Sequence, residues 1–141
     1  MNKNIKRSEG FTLIELLVVL AIIGLLAGLV GPQVMDRLSG AKTGAAKVQI
    51  EDLAGALDIY KLDVGSYPSS SEGLKALIEN TSSIRGWNGP YLSKNKVPLD
   101  PWNNEYHYAS PGEHGRFDIY SLGADNAAGG EGGDQDVNSW E

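Results

Sequence analysis

The hydrophobic pattern divides the chain at about residue 31. Residues 11–31 read FTLIELLVVLAIIGLLAGLVG and are apolar on every side, apart from the single acid Glu15. About twenty consecutive apolar residues are enough for a helix that crosses a bilayer. The pattern therefore predicts a transmembrane helix. A carboxylate in such a helix costs roughly 2.5 to 3.5 kcal/mol to insert, so we treat Glu15 as a functional residue by hypothesis.

Beyond Pro32 the apolar residues recur every three or four positions, which predicts an amphipathic second half of the same helix. Pro32 lacks an amide proton, so we expect a break or kink there, with the helix resuming at once. The sequence thus predicts one element from Phe11 to about Leu62, with Gly65 as its C-terminal cap. The apolar stripe comprises Val34, Leu38, Ala41, Ala45, Val48, Ile50, Leu53, Leu57 and Tyr60.

Shorter elements follow. Ser69 and Glu72 have capping-box spacing, which predicts a short helix of about two turns over the following residues. Alternating residues predict two strands, at residues 105–109 and 116–121. The fold class is therefore α+β: a long N-terminal helix, with an apolar membrane half and an amphipathic half, packed on a small antiparallel sheet. The aromatic residues expected to cover its core are Trp87, Tyr91 and Trp102.

Composition narrows the possible partners. The chain has 12 Lys+Arg against 18 Asp+Glu, a net charge of −6, and no cysteine. A disulfide is therefore excluded. An acidic chain without a basic stripe argues against nucleic acid as a partner, because phosphate contacts need Lys or Arg.

The leader MNKNIKRSEG carries three basic residues ahead of the apolar run. By the positive-inside rule, the N-terminus stays in the cytoplasm and the C-terminal domain crosses the membrane. Composition leaves three alternatives open: a plain uncleaved anchor, a removed signal peptide, or a specialised segment. A secretory signal usually has a shorter apolar core of about 7 to 15 residues.

The stretch GFTLIELLVVLAIIGLLAGLVGP resembles the class III leader of type IV pilins and type II secretion pseudopilins. The resemblance implies that prepilin peptidase cuts between Gly10 and Phe11, on the cytoplasmic side, and that Phe11 is then N-methylated. The mature chain would keep the apolar helix and a net charge of −8, since residues 1–10 carry three bases and one acid. Glu15 lies one helical turn from the new amine. In that family it is thought to meet the amine of a neighbouring subunit.

An acidic, glycine-rich segment occupies residues 122–136, LGADNAAGGEGGDQD. Composition alone predicts a flexible, solvated loop. Oxygen ligands in a pliable segment also suit Ca²⁺, although the spacing is not that of an EF-hand. Both interpretations stay open at this point. Trp140, just beyond the segment, is expected to pin the terminus to the domain.

The order of YPSSSEGLKAL, GPYL, VPLDPWNNEYHY and DIYSLGAD resembles the major pseudopilins of type II secretion over nearly the whole chain. That resemblance implies one calcium ion in the loop, with Glu131 facing solvent and the carbonyls of Ala127 and Gly130 as further candidates. The implied ligands are the carboxylates of Asp125, Asp134 and Asp136 and the carbonyl of Leu122.

The resemblance also implies a function. The chain would be a structural subunit of a periplasmic pseudopilus that drives export of folded proteins across the outer membrane. Its domains would be a removed leader (1–10), a transmembrane and filament-core helix (11–31) and a periplasmic head (32–141), with Glu15 and Pro32 serving assembly. The implied partners are other copies in a helical filament, minor pseudopilins, the inner-membrane assembly platform and prepilin peptidase.

Other functions remain possible on the sequence. A type IV pilus or minor pseudopilin subunit would share the same leader. A monomeric, membrane-tethered calcium-binding module would share the loop. A membrane-anchored hydrolase using Asp and Glu is the enzyme alternative, but the two histidines, His107 and His114, have no nucleophile elbow or cysteine to work with. The sequence therefore predicts a protein that is not an enzyme.

Overall fold

The computed structural model describes residues 9–141; most of the leader, residues 1–8, lies outside the described residues. The chain divides into two compact units at the bond between Asp36 and Arg37. The long helix α1 spans Leu13–Val64, 52 residues, and includes parts of both units. It begins two residues later and ends two residues later than the sequence predicts.

Pro32 lies inside α1, so the helix is not broken there and runs on as the single element that the sequence predicts; the alternative of a kink stays a prediction. An internal proline removes one hydrogen bond and costs about 3 kcal/mol or more. The helical runs on both sides of it are long enough for the helix to continue. At the other end the cap is confirmed: Gly65 has φ +97° and its N–H donates to the Lys61 carbonyl at 2.8 Å. Gly is favoured in this left-handed conformation.

The first unit is apolar and exposed. Its part of α1 is long and apolar enough to cross a membrane by length and composition, and no residue of the most apolar window is buried. Phe11, ahead of the helix, is 85% exposed. A Cβ atom added at Gly24, Gly28 or Gly31 would meet nothing within 4 Å, so these glycines leave flat surface on the helix.

The second unit has a buried core on one face of α1. The helix residues buried there are Ala46, Ile50, Leu53, Ala56, Leu57 and Tyr60. The predicted stripe is confirmed for Ile50, Leu53, Leu57 and Tyr60, which are buried, but is wrong for the earlier positions, which are all exposed: Val34, Leu38, Ala41, Ala45 and Val48. Two residues are about 200° apart around a helix, so Val48 and Ile50 lie on opposite sides. The alanines leave room for side chains from the rest of the head.

Three short antiparallel strands pack on this helix face: β1 at His107–Ala109, β2 at Asp118–Ser121 and β3 at Val137–Asn138, in the order β1-β2-β3. The two predicted strands are present but shorter, and β3 was not predicted. Ser121 at the end of β2 pairs with Val137 at the start of β3. This pair closes the base of the glycine-rich loop. Ile119 and Val137 are fully buried in the common core.

The predicted capping box is present. The Ser69 N–H donates to Glu72 Oε2 at 2.8 Å, and the Glu72 N–H donates to Ser69 Oγ at 3.3 Å. The Ser69 N–H and then the Ser69 hydroxyl, which also donates to Glu72 Oε2 at 2.8 Å, hold the pKa of Glu72 below its ordinary value. The helix that follows is one 3₁₀ turn, Leu74–Leu77, rather than two α-helical turns. Gly73, with φ +63°, separates the capping box from it.

The aromatic cover of the core is also confirmed: Trp87, Tyr91 and Trp102 are partly buried against it. The Trp87 indole donates to the Ala76 carbonyl at 2.8 Å, which fixes the loop that follows the 3₁₀ turn. The Tyr91 hydroxyl donates to Asp63 Oδ2 at 2.9 Å. This loop is therefore tied to the C-terminal end of α1 through polar as well as apolar contacts.

Candidate functional site

The N-terminal site is built around the first turn of α1. The Thr12 N–H donates to Glu15 Oε2 at 2.9 Å, and the Glu15 N–H donates to Thr12 Oγ1 at 3.2 Å. This reciprocal pair is a capping box, which satisfies two of the free N–H groups at the helix start. The sequence analysis missed Thr12, although its T-x-x-E spacing is the signal for this motif. Glu15 therefore has a role within its own chain.

Gly10 and Phe11 precede the helix, and both are exposed. The bond between them lies outside regular secondary structure, so a peptidase would not need to unwind α1 to reach it. The structure contains this bond intact, and therefore does not test the predicted pairing of Glu15 with a free Phe11 amine. That pairing stays a prediction.

The second site is the loop at residues 122–136, which connects β2 to β3. Its two stems lie against each other: the Ala124 N–H donates to the Gly133 carbonyl at 3.0 Å. Gly123 has φ +69°, and a Cβ atom there would lie 2.7 Å from the Asp134 carbonyl oxygen. Only glycine allows the two stems to approach this closely. The loop is therefore folded back on itself, which a purely flexible, solvated loop would not be.

The predicted ligands occupy different environments in this loop. Asp125 and Asp134 are exposed, and Leu122 and Asp136 are partly buried. Asp125 Oδ1 accepts from the Ala127 N–H at 3.1 Å, and Asp136 Oδ2 accepts from the Gly129 N–H at 2.9 Å. Within residues 9–141, no three acidic, histidine or cysteine side chains come together in a group that could hold a metal ion.

Asp136 nevertheless has an unusual carboxylate. Its Oδ1 atom is buried and has no hydrogen-bond partner. A buried acceptor without a partner costs about 1 to 3 kcal/mol, and more when it is charged. A cation bound to this oxygen would remove that cost. The donor set of carboxylate and carbonyl oxygens also suits Ca²⁺. The residues present therefore fit a calcium ion through Asp136. Glu131 is exposed, but Asp125 and Asp134 are exposed as well, so its role as a solvent-facing residue stays a prediction.

The loop also contacts α1 within the second unit. A Cβ atom added at Gly133 would lie 2.9 Å from Ser39 Oγ, so the loop backbone approaches the helix closely there. A side chain at position 133 would have to displace the Ser39 hydroxyl.

Trp140 pins the segment after β3 to the head, as predicted. Its ring stacks on His114 at 3.9 Å between centroids, with the planes only 5° apart. His114 in turn contacts the buried Asp118, with Nδ1 3.0 Å from Oδ2. Burial would raise the pKa of Asp118, but the hydrogen bonds from His114 and from the Glu113 N–H outweigh it and lower that pKa. The sequence analysis did not identify Asp118.

The exposed apolar segment, the amphipathic continuation of α1 and the small antiparallel sheet together define a pilin-like, membrane-anchored subunit. The comparisons agree with this class. Residues 33–140 match the family described as "Type II secretion system (T2SS), protein G", and residues 5–31 match the "Prokaryotic N-terminal methylation motif". The chain belongs to the type II secretion system protein G family.

Individual relatives cover almost the whole chain. The "Type II secretion system core protein G" of Pseudomonas aeruginosa is 48% identical over 139 residues, which are 96% of this chain and 97% of that protein. The Vibrio cholerae protein of the same description is 40% identical and covers 98% of this chain and 95% of its own length. The crystal structure of the major pseudopilin of enterohaemorrhagic Escherichia coli superposes with a TM-score of 0.65 at 28% identity. It covers 75% of this chain and 88% of its own.

These findings confirm the resemblance and the fold class stated from the sequence. The family consists of structural pseudopilin subunits and is not a known class of enzyme. Membership in it, with the N-terminal motif and the apolar helix, supports anchoring in the inner membrane.

Proposed function

We propose that this chain is the structural subunit of a periplasmic pseudopilus, which polymerises through its N-terminal helix to drive export of folded proteins across the outer membrane. One observation carries the proposal: the large apolar side chains of residues 11–30 are exposed, whereas the head has a buried core of its own. An apolar helical surface of this extent must lie in lipid or against other helices. A subunit stored in the inner membrane and then packed in a filament uses both environments.

Processing begins at the leader. Prepilin peptidase cuts between Gly10 and Phe11 on the cytoplasmic side, and Phe11 is N-methylated. The exposure of both residues and the match to the methylation motif over residues 5–31 support this step. The basic leader keeps the N-terminus in the cytoplasm and the head in the periplasm. Assembly then involves the inner-membrane platform and minor pseudopilins.

Cleavage gives Glu15 a second possible partner. In the described chain its carboxylate accepts from its own Thr12 N–H. Removal of the leader creates a positive amine on Phe11, and a charged amine is a stronger donor to a carboxylate than a neutral amide. In the apolar centre of a filament, an unpaired carboxylate would be costly. Glu15 therefore pairs with the Phe11 amine of a neighbouring subunit and sets the axial register.

Calcium completes the head in this proposal. The ion would be held by the carboxylates of Asp125, Asp134 and Asp136 and the carbonyl of Leu122, and it supplies positive charge that offsets the repulsion among the acids. The buried, unpartnered Oδ1 of Asp136 supports it. The loop stems approach closely, and ion binding would draw Asp125 and Asp134 toward Asp136, since the three carboxylates do not lie together in residues 9–141 as described.

Variants of the first turn test polymerisation. Glu15→Ala and Thr12→Ala would each be expressed with the secretion components, and filaments would be counted by electron microscopy after confirming membrane insertion. Both substitutions break the capping box, but only Glu15→Ala removes the intersubunit carboxylate. We expect Glu15→Ala to abolish filaments and Thr12→Ala to keep them.

Two results would reject this proposal. Normal filaments from Glu15→Ala would favour a monomeric membrane tether. Equal loss in both variants would show that Glu15 acts only on its own helix. Mass spectrometry of the mature chain tests processing separately: we expect an N-terminal Phe11 carrying one added methyl group, and a chain that still begins at Met1 contradicts cleavage.

A further inference from the structure

We propose that Asp100 and Ser121 are positioning residues that hold the base of the loop at residues 122–136, beside Leu122, in place before any ion arrives. This inference rests on the calcium-binding role proposed above. It concerns two residues outside the ligand set, one at the base of the loop and one in the segment between the 3₁₀ turn and β1.

Asp100 is a buried carboxylate, only 3% exposed. Its Oδ1 accepts from the N–H groups of Trp102 at 2.9 Å and Asn104 at 2.8 Å. Its Oδ2 accepts from the Ser121 hydroxyl at 2.6 Å. No Lys, Arg or His within residues 9–141 forms an ion pair with it. Burial of a carboxylate is costly, so these three hydrogen bonds are what allow Asp100 to remain inside the fold.

Ser121 connects the buried Asp100 carboxylate to the loop. It is fully buried, and its Oγ accepts from the Gly123 N–H at 3.2 Å while it donates to Asp100. Ser121 also pairs with Val137 across the sheet, so both ends of the loop are anchored at this pair. The hydroxyl therefore fixes the direction in which the chain leaves β2, immediately beside the carbonyl of Leu122.

The position of Gly123 determines the position of the opposite stem. A Cβ atom on Gly123 would lie 2.7 Å from the Asp134 carbonyl and 2.8 Å from the Gln135 carbonyl, so the two backbones are in direct contact. A shift of Gly123 toward the opposite stem would therefore displace Asp134 and Gln135, the two residues just before Asp136. Two successive hydrogen bonds, from Asp100 to Ser121 and from Ser121 to Gly123, therefore connect a buried carboxylate to the base of the proposed site.

The hydrogen bonds from Asp100 and Ser121 should affect the affinity of the loop for a cation more than an ordinary core contact would. A loop that must be ordered on binding loses affinity through the entropy of ordering, and a preorganised loop does not. Residues that orient the ligands of a metal ion without touching it typically change its affinity by about 10- to 100-fold. If Ser121 only filled space in the core, its hydroxyl group would not be needed.

Calorimetry on the full chain in detergent micelles tests the proposal. The calcium dissociation constant would be measured for wild type, Asp100→Ala, Asp100→Asn, Ser121→Ala and Ser139→Ala. Ser139 is the matched control, because its hydroxyl accepts from the Ile119 N–H at 3.0 Å on the same strand but does not contact the loop stem at Gly123. We expect Ser121→Ala and Asp100→Ala to raise the dissociation constant by about 10- to 100-fold. Ser139→Ala should leave it within about twofold.

Asp100→Asn provides the conservative rescue. The asparagine oxygen still accepts from two N–H groups, and its NH₂ group donates to Ser121 Oγ, so the loop anchor is kept. We expect affinity close to wild type from this variant. A dissociation constant that is unchanged in both alanine variants, or raised equally by Ser139→Ala, would overturn the positioning role while leaving calcium binding intact. A wild-type chain that binds no calcium overturns the calcium proposal itself, and the positioning role with it.

Hydrogen exchange on the wild-type chain gives a test that does not depend on the folding of any variant. The proposal requires the Gly123 N–H to be protected in calcium-free buffer, since its acceptor is the Ser121 hydroxyl rather than the ion. Exchange of the Gly123 N–H as fast as that of an unfolded peptide, in the absence of calcium, would contradict it.

Discussion

The second half of α1 contributes one face of the core of the head. Two leucines on this half of the helix allow the contribution of that packing to stability to be measured. Leu57 is fully buried, whereas Leu62, on the same helix, is 83% exposed. The same substitution to alanine at both positions changes the same atoms in the same secondary structure. Only the surroundings differ, so the comparison isolates the contribution of packing between helix and head.

The expected difference follows from burial. Leu57→Ala removes three carbon groups from the core, about 2.4 kcal/mol of transfer free energy, and the cavity left behind raises the cost to about 2.7 to 5 kcal/mol. Leu62→Ala should change the free energy of unfolding by less than about 0.5 kcal/mol. For a domain of this size, about 4 °C is lost per kcal/mol, so we expect Leu57→Ala to lower Tm by about 10 to 20 °C.

The measurement is unfolding of the full chain in detergent micelles, followed by tryptophan fluorescence. All three tryptophans, Trp87, Trp102 and Trp140, lie in the head, so the signal reports the unit that contains Leu57. Urea titration at constant detergent gives the free energy, and an unchanged slope shows that the same surface is exposed in each variant. Equal losses from Leu57→Ala and Leu62→Ala, or a loss below about 1 kcal/mol at Leu57, would refute the packing described here.

Three further predictions concern the head. Removing calcium with a chelator should lower its Tm by several degrees, and Asp136→Asn should abolish that difference; identical melting curves with calcium and with chelator would contradict the proposed ion. Asp118 has a pKa below its ordinary value when folded, so the stability it contributes is complete above pH about 4 and is lost as the pH falls through the folded pKa. Asp118→Asn should therefore make the free energy of unfolding less dependent on pH between about pH 5 and 2, and an unchanged pH dependence would be the contrary result. Gly86→Ala should destabilise the head by about 1 to 3 kcal/mol, because φ is +92° and the new Cβ atom would lie 2.5 Å from the Asp63 carbonyl oxygen. Gly55→Ala, in open space on α1, should stabilise the head by about 0.5 to 1 kcal/mol. Urea unfolding measures both, and equal stability of the two variants would contradict the close approach at Gly86.

The features that sequence reasoning predicted correctly are local. Helical periodicity identified the buried face from Ile50 to Tyr60, and short-range signals identified the capping box at Ser69 and the glycine cap at Gly65. In each case the residues that interact lie within a few positions of each other, so the sequence pattern contains the interaction. The family resemblance, confirmed by the comparisons, supplied the assignment of function.

The features that it missed depend on distant partners or very short elements. The strand β3 has only two residues, too few for alternation to be visible. The hydrogen bond between Asp100 and Ser121 joins residues 21 positions apart, and nothing near Asp100 in the sequence shows that its carboxylate is buried. The local cost of Pro32 suggested a break or a kink, whereas the long helical runs on both sides keep α1 continuous through it.

The pairing of β3 with β2 also has a consequence for how the subunit is made. Val137 is fully buried in the same cluster as Ala46 and Ile50, so the core joins residues that are synthesised far apart in time. Contacts between distant residues form late in folding. The core that covers the buried face of α1 is therefore incomplete until residue 137 has been synthesised. In the orientation proposed above, the head completes its core only after residue 137 has crossed the membrane, and a nascent subunit arrested before that residue would lack part of the core.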